Sequence, residues 1–186
     1  MAQGLKVGAN YYLTKPFTIE HLYEAIDQVL AWREEIGKEG LEGEIHFQLQ
    51  SDTQYLEELN QLLSSLFLHT GLSEEQVRQF TYAVRELGVN AIEWGHRKQV
   101  ERLVTVTYRI EAKKIVIVIK DTGPGFDPKN LPHAAKDEDP ASHVEVRQAM
   151  GIRSGGFGIM LAKGLVDEMK YNDTGNEVRL VKYLPA

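Results

Sequence analysis

An α+β fold is predicted by three features of this 186-residue chain. Two alternating apolar runs, "RLVTVTYRIEA" and "KIVIVIK", meet at a tight junction around Ala112 and Lys113 and read as antiparallel neighbours. Two segments with apolar residues at helical spacing precede them, and "KYNDTGNEVRLVKYL" closes the chain as a hairpin turning at Thr174 to Asn176.

The elements are read in chain order. Residues 1–38 read as a short strand, "NYYLTKPF", and a helix from about Thr18 with Leu22, Ala25, Ile26, Val29 and Leu30 on one stripe. A Gly/Glu-rich linker, residues 39–43, separates this piece from a domain expected over 44–186. There "EIHFQLQ" is a strand, and a helix after Asp52 carries Tyr55, Leu59, Leu62, Leu63 and Leu66 on its core face. "SEEQ" at Ser73–Gln76 fits a capping box, in which the two end residues satisfy each other's free backbone donors. It starts a helix whose core face is Val77, Phe80, Val84, Leu87 and Ala91. The polar stretch from Lys129 to Ser154 has little periodicity and reads as a lid, because long irregular loops inside a compact domain are usually functional or disordered. "GGFGIMLAKGLVDEM" opens a further helix.

Composition narrows the function. With 42% hydrophobic and 26% charged residues, the chain holds enough for one core plus an appendage. A net charge of -6 and no clustered basic face argue against a nucleic-acid partner. The absence of cysteine excludes a disulfide framework, a thiolate metal site and a cysteine nucleophile. "IVIVI" is far too short to span a membrane and the N-terminus lacks a signal-peptide pattern, so no membrane association is expected and the cytoplasm is the default location.

Three separated pieces carry chemistry. The first is "RELGVNAIEWGHR", in which Glu86 and Asn90 lie one helical turn apart and share a face. The second is "DTGPG": Asp121 closes an apolar strand where its carboxylate can accept from an exocyclic amine such as that of adenine, while Gly123 and Gly125 let the backbone approach a flat ring. The third is "GGFG", where Gly156 and Gly158 open a helix whose free N–H groups and dipole attract phosphate. Singly, each has an ordinary explanation as a solvated face or a turn. Together they fit a nucleotide site, with the Asn90 carbonyl oxygen offered to Mg²⁺ and Glu86 as general base. Lys136, Arg147 and Arg153 of the lid are candidates for reaching phosphate, and equally for solvated loop charges.

The ordered set "ELGVN", "DTGPG" and "GGFGIML" resembles the N, G1 and G2 boxes of the GHKL ATPases, and the short spacing and chain ending look most like anti-sigma factor serine kinases of bacterial partner-switching systems. The resemblance spans about Glu44 to Leu184. It implies a two-layer α/β sandwich of the Bergerat type, ATP with Mg²⁺, and phosphorylation of a serine or threonine on a small anti-sigma factor antagonist. A sigma factor as second partner and a homodimer are also implied. By motif match Glu86 takes the catalytic position, Asn90 the metal position and Asp121 the adenine position. One departure is visible: many relatives carry a histidine four residues past the motif Asn, whereas this chain has Trp94 there and His96 two residues later. Two alternatives stand beside the kinase: a non-catalytic nucleotide-gated binding module, and the ATP-binding half of a histidine kinase. Against the latter, none of the six histidines is followed by an acid in a helical dimerisation segment.

"GANYYLTKPF" and the helix after it look like the last strand and helix of a response-regulator receiver domain, with Lys15 as the phosphate-contacting lysine, Pro16 as the cis proline and Tyr12 as the switch aromatic. No acid precedes Lys15, so aspartyl phosphorylation is not expected of this fragment, and Met1 is expected to be internal to a longer receiver–ATPase product.

Overall fold

The computed structural model describes residues 10–14, 43–97, 99–111, 113–127 and 157–185. The expected helix from Thr18, Lys15, Pro16, the linker up to residue 42, the lid with Lys136, Arg147 and Arg153, and Gly156 all lie outside the described residues.

Helix α1 (Thr53–Leu68) begins at Asp52, whose carboxylate accepts from the Gln54 N–H and satisfies a donor the helix leaves free. Helix α2 (Glu74–Asn90) begins at Ser73 with the expected capping box closed in both directions: Gln76 N to Ser73 Oγ, 3.2 Å, and Ser73 N to Gln76 Oε1, 2.9 Å. Glu74 and Glu75 in its first turn complement the positive end of the helix dipole.

Six strands form one sheet among the described residues: β1 (Asn10–Thr14), β2 (Gly43–Gln50), β3 (Leu103–Glu111), β4 (Lys114–Lys120), β5 (Glu168–Tyr171) and β6 (Glu177–Tyr183), in the spatial order β1-β2-β3-β4-β6-β5. The β2–β3, β3–β4, β4–β6 and β5–β6 pairs are antiparallel, and β1 adds in parallel at the edge, with Tyr12 opposite His46. The register aligns one apolar row across the sheet: Phe47 faces Val106, Val106 faces Ile119, and Ile119 faces Val178. These side chains, with Ile45, Leu49, Tyr108, Ile115, Ile117 and Leu180, pack beneath the helices. Phe67 of α1 joins the layers, its ring centroid 4.8 Å from Phe80 of α2 and 6.2 Å from Tyr108 of β3. Gly88 sets the approach of the two helices, since a Cβ there would meet the Leu56 side chain at 2.6 Å. On the other face of the sheet, Glu44 pairs with Arg109 directly opposite it, while Val116 and Val181 are buried side by side on β4 and β6.

Two expectations move. Helix α3 (Gly158–Leu165) stops short of "VDEM", and β5 starts at Glu168 rather than Lys170. Val166 leaves helical geometry with φ −116° and ψ 161°, because Asp167 N–H donates to Val181 O, so sheet pairing with β6 takes over from helix propensity.

Candidate functional site

The site is built along one face of α2 and the turn that ends it. Glu86 and Asn90 are both half-buried. The Glu86 carboxylate receives Arg85 Nη1 at 3.4 Å, and Arg85 is itself held by Glu57 of α1 through Nε at 2.6 Å. Past Asn90 the helix widens into a π-helical turn, Ala91–Gly95, closed by the His96 N–H bonding back to Ala91 O at 3.0 Å. Such turns insert one residue into the helical ladder and recur at functional sites. Here the turn re-aims the residues at its end. Trp94, four residues past Asn90, is 43% exposed, whereas Gly95 lies against the Asp121 carboxyl group and His96 is buried. Arg97, at φ 51°, ends the turn.

Asp121 leaves the end of β4 into the "DTGPG" turn. Its carboxyl is buried and held by the Gly123 N–H on Oδ1 at 2.7 Å; no other hydrogen bond to its side chain runs among the described residues. Burial pushes this carboxyl above the usual aspartate range, opposed by that amide bond and by the nearby His96 and Arg102. Methyl groups are excluded around it. A Cβ on Gly95 would strike the Asp121 carboxyl, and one on Gly123 would strike Gly95 O, so two chain segments meet here in backbone-to-backbone contact.

The far side of the turn is gripped by the β5–β6 hairpin. Asp121 N–H donates to Asn176 O at 2.9 Å, and Phe126 N–H to Thr174 O at 3.0 Å. Gly125 at φ +71° and Gly175 at φ +76° allow this: a Cβ on Gly125 would meet Thr174 O, and one on Gly175 would meet Phe126 O. Asn172 organises the hairpin, its Oδ1 accepting from Gly175, Asn176 and Glu177 N–H groups at 2.7, 3.1 and 3.3 Å. Tyr171 stacks edge-on against Phe126 at 4.9 Å; burial, with the Asp121 charge beside it, pushes its phenol far above the usual range.

His96 closes the near side. Its Nε2 accepts the Thr122 N–H at 2.8 Å, so the neutral ring carries its proton on Nδ1, which bonds Ser51 Oγ at the β2–α1 junction. Burial lowers the imidazole pKa, with Asp121 opposing and Arg102 assisting. At the other end of the site, Gly158, the first residue of α3, abuts Glu86, and a Cβ on it would stand 2.8 Å from Oε2. The second and third sequence-predicted segments therefore meet the first, α2 and its π turn, at two points, Gly95 and Glu86. Nine residues at helical rise separate these points by about 13 Å.

The model of the histidine kinase-like ATPase domain family matches residues 49–182, from the end of β2 to β6. The chain belongs to this family. Among curated relatives of this histidine kinase-like ATPase domain, serine-protein kinase RsbW of Staphylococcus epidermidis is 26% identical over 142 residues, covering 75% of this chain and 86% of the relative. Serine-protein kinase RsbW of Staphylococcus aureus (strain bovine RF122 / ET3-1) is 25% identical over 142 residues, with the same coverage. The α+β arrangement of helices on an antiparallel sheet is that expected of a GHKL-type ATPase fold. Among the described residues of this ATPase domain no helix is long and apolar enough to cross a membrane.

Motif reading singled out Glu86, Asn90, Asp121, Gly123, Gly125, Gly156 and Gly158, and noted His96 only as a departure from the family pattern. It missed Ser51, Gly95, Thr122, Tyr171 and Asn172, which hold the ATPase domain's Asp121 turn in place. The one available signal was "EWGHR", a glycine beside a histidine just past a helix whose start the capping box fixes.

Proposed function

We propose that this chain binds ATP with Mg²⁺ and acts as a protein serine/threonine kinase in a bacterial partner-switching or two-component system, phosphorylating a small antagonist protein of the anti-sigma factor antagonist kind. The observation that carries the reading is the juxtaposition of an acid, Glu86, with the glycine start of α3, on the helix whose far end touches Asp121. A purely binding nucleotide module has no need of an acid there. The likeness to the serine-protein kinases RsbW supports it.

The residues fit the nucleotide. Asp121 offers a buried carboxylate oxygen with no protein partner among the described residues, suited to accept from the adenine amine. Gly123 and Gly125 form the turn that carries Asp121, and Gly158 sets the α3 N-terminus beside Glu86, where phosphates would lie. Gly156, outside the described residues, is assigned to the phosphates by its motif. Asn90 is the protein ligand for Mg²⁺. An ion that keeps waters and phosphate oxygens takes few protein ligands, so one carboxamide oxygen would serve. When bound, Mg²⁺ offsets negative charge on the phosphates.

Glu86 orients the substrate hydroxyl and takes its proton as the serine or threonine oxygen bonds the γ-phosphorus. The bond to the β,γ-bridging oxygen breaks and ADP leaves. Neighbouring Arg85, anchored by Glu57, fixes the carboxylate's orientation.

Residues 1–38 are read as the end of a receiver-type unit, 39–43 as a linker and 44–186 as the ATP-binding unit, in a cytoplasmic protein that pairs as a homodimer. The "NYYLTKPF" pattern supports this, and β1 within it joins the sheet edge through β2. A second reading, nucleotide-gated binding without transfer, draws on the Arg85 contact, which competes for the lone pairs a base needs.

Incubation with γ-labelled ATP and a candidate antagonist decides between them. Label appearing on antagonist serine or threonine with the intact chain, and lost with Glu86→Ala, supports the kinase. Transfer at the normal rate by Glu86→Ala overturns the assignment of Glu86, and nucleotide binding with no transfer to any protein establishes the binding module.

A further inference from the structure

His96 stands where no motif assigns a residue, yet it is 1% exposed and uses both ring nitrogens. Its Nδ1 reaches Ser51, at the β2–α1 junction, whose own N–H donates to Val100 O and Arg102 O at 3.2 and 3.0 Å, so that end is tied to the segment leading into β3. Its Nε2 receives the backbone N–H of Thr122, the residue directly after Asp121, with the Thr122 hydroxyl 3.0 Å away. Arg102 Nη1 donates to Thr122 O at 3.4 Å and grips the same residue from its other side. Two backbone hydrogen bonds to the β5–β6 hairpin hold the turn from beyond. The Asp121 carboxyl therefore has no freedom to swing: the residue after it is pinned by His96, and Gly95 blocks its flank.

We propose that His96 is a positioning residue for base recognition: in its Nδ1-protonated neutral form it ties the Asp121 turn to Ser51 and so fixes the carboxylate that selects the exocyclic amine of adenine. The proposal rests on the nucleotide reading given above. A fixed acceptor discriminates because a ligand lacking the donor leaves a buried carboxylate oxygen unpaired, whereas a loose one can turn away. Protonating His96 would set an Nε2–H against the Thr122 N–H and release the turn. The charged or titratable groups acting on the ring are Asp121 from the end of β4 and Arg102 from the segment before β3.

The test compares binding of ATP and of purine riboside triphosphate, which lacks the exocyclic amine, by calorimetry on the full chain. The wild type is expected to favour ATP by at least about tenfold, the discrimination of one buried hydrogen bond. His96→Phe, checked for folding by circular dichroism, is expected to keep its affinity for the purine analogue within about threefold while its ATP preference falls towards one. His96→Gln, whose amide can accept from Thr122 and donate to Ser51, is expected to restore the preference. In parallel, ¹⁵N spectra of the imidazole are expected to show a bare Nε2 at neutral pH.

Retained ATP preference in folded His96→Phe, or a protonated Nε2 at neutral pH, overturns the assignment while leaving the nucleotide site intact. Should His96→Phe fail to fold, Ser51→Ala takes its place, with lowered preference supporting the proposal, unchanged preference overturning it, and Ser51→Thr as the rescue. A wild type that binds neither nucleotide refutes the site itself and this assignment with it, a different outcome from binding without selectivity.

Discussion

Gly158 at the start of α3 lies so close to Glu86 on α2 that an added methyl would stand 2.8 Å from the carboxylate oxygen Oε2. That contact brings the acid of one motif to the helix N-terminus of another. Gly158→Ala must push Glu86 aside, which the half-buried side chain can do at small cost to the fold. Transfer to the antagonist is expected to fall at least tenfold, with the thermal midpoint changed by no more than a few degrees. Glu86→Gln is expected to lose about 10²- to 10⁴-fold in transfer, the usual contribution of a general base, while retaining nucleotide affinity. A Gly158→Ala protein with wild-type transfer rate would show that the contact has no bearing on the chemistry.

Gly125 makes a different kind of demand. At φ +71° any other residue is strained, and its Cβ would meet a backbone oxygen, Thr174 O, which cannot rotate away. Gly125→Ala is expected to cost about 2–4 kcal/mol, combining left-handed strain with displacement of the β5–β6 hairpin. Urea denaturation measures it. A loss below about 1 kcal/mol would mean that the two turns do not pack as described.

Asn172 carries a stability prediction, through the hairpin that grips the Asp121 turn. One side-chain oxygen accepts three backbone N–H groups, so Asn172→Ala leaves those of Asn176 and Glu177 to seek water, while the Gly175 N–H keeps the residue's backbone carbonyl at 3.1 Å. The hairpin turn is half-buried, which puts the expected cost at about 1–3 kcal/mol. Asn172→Asp keeps the acceptor and is expected to recover most of it. Equal denaturation midpoints for the two variants would refute this account.

Acid is expected to weaken the fold through His96. Burial holds its folded pKa below the ordinary 6.5, so as pH falls below that value the unfolded chain takes up a proton that the folded chain refuses. Stability from this group is complete above about pH 6.5 and declines as pH drops towards the folded value, by at most about 1.4 kcal/mol per pH unit. Asp121 has the opposite sign. Its folded pKa lies above the ordinary 3.8, so its ionisation costs stability as pH rises through that raised value. Denaturation midpoints of wild type and His96→Gln, measured from pH 7 to 5, should diverge downwards for the wild type. Parallel curves would show that His96 titrates normally.

Helices α1 and α2 and the two hairpins, β3–β4 and β5–β6, could be read in advance, because each depends on local chemistry, whereas the β1–β2, β2–β3 and β4–β6 pairings could not. The capping box at Ser73, the alternation in "VTVTYRI" and the cap at Asp52 are decided within a few residues of themselves. The early end of α3 was not legible, since it depends on Asp167 finding Val181 in a distant strand.

Sequence by itself determined which groups are present: an acid and a carboxamide one turn apart, a carboxylate closing an apolar strand, and glycines where backbones must approach. Tertiary structure alone decided what holds them. The π turn that swings Gly95 onto Asp121 and His96 into the interior leaves no periodic trace, because a single inserted residue changes direction without changing composition. The bonds from His96 to Ser51 and Thr122 span 45 and 26 residues, and contacts at that separation arise from the packing of whole layers rather than from any local preference.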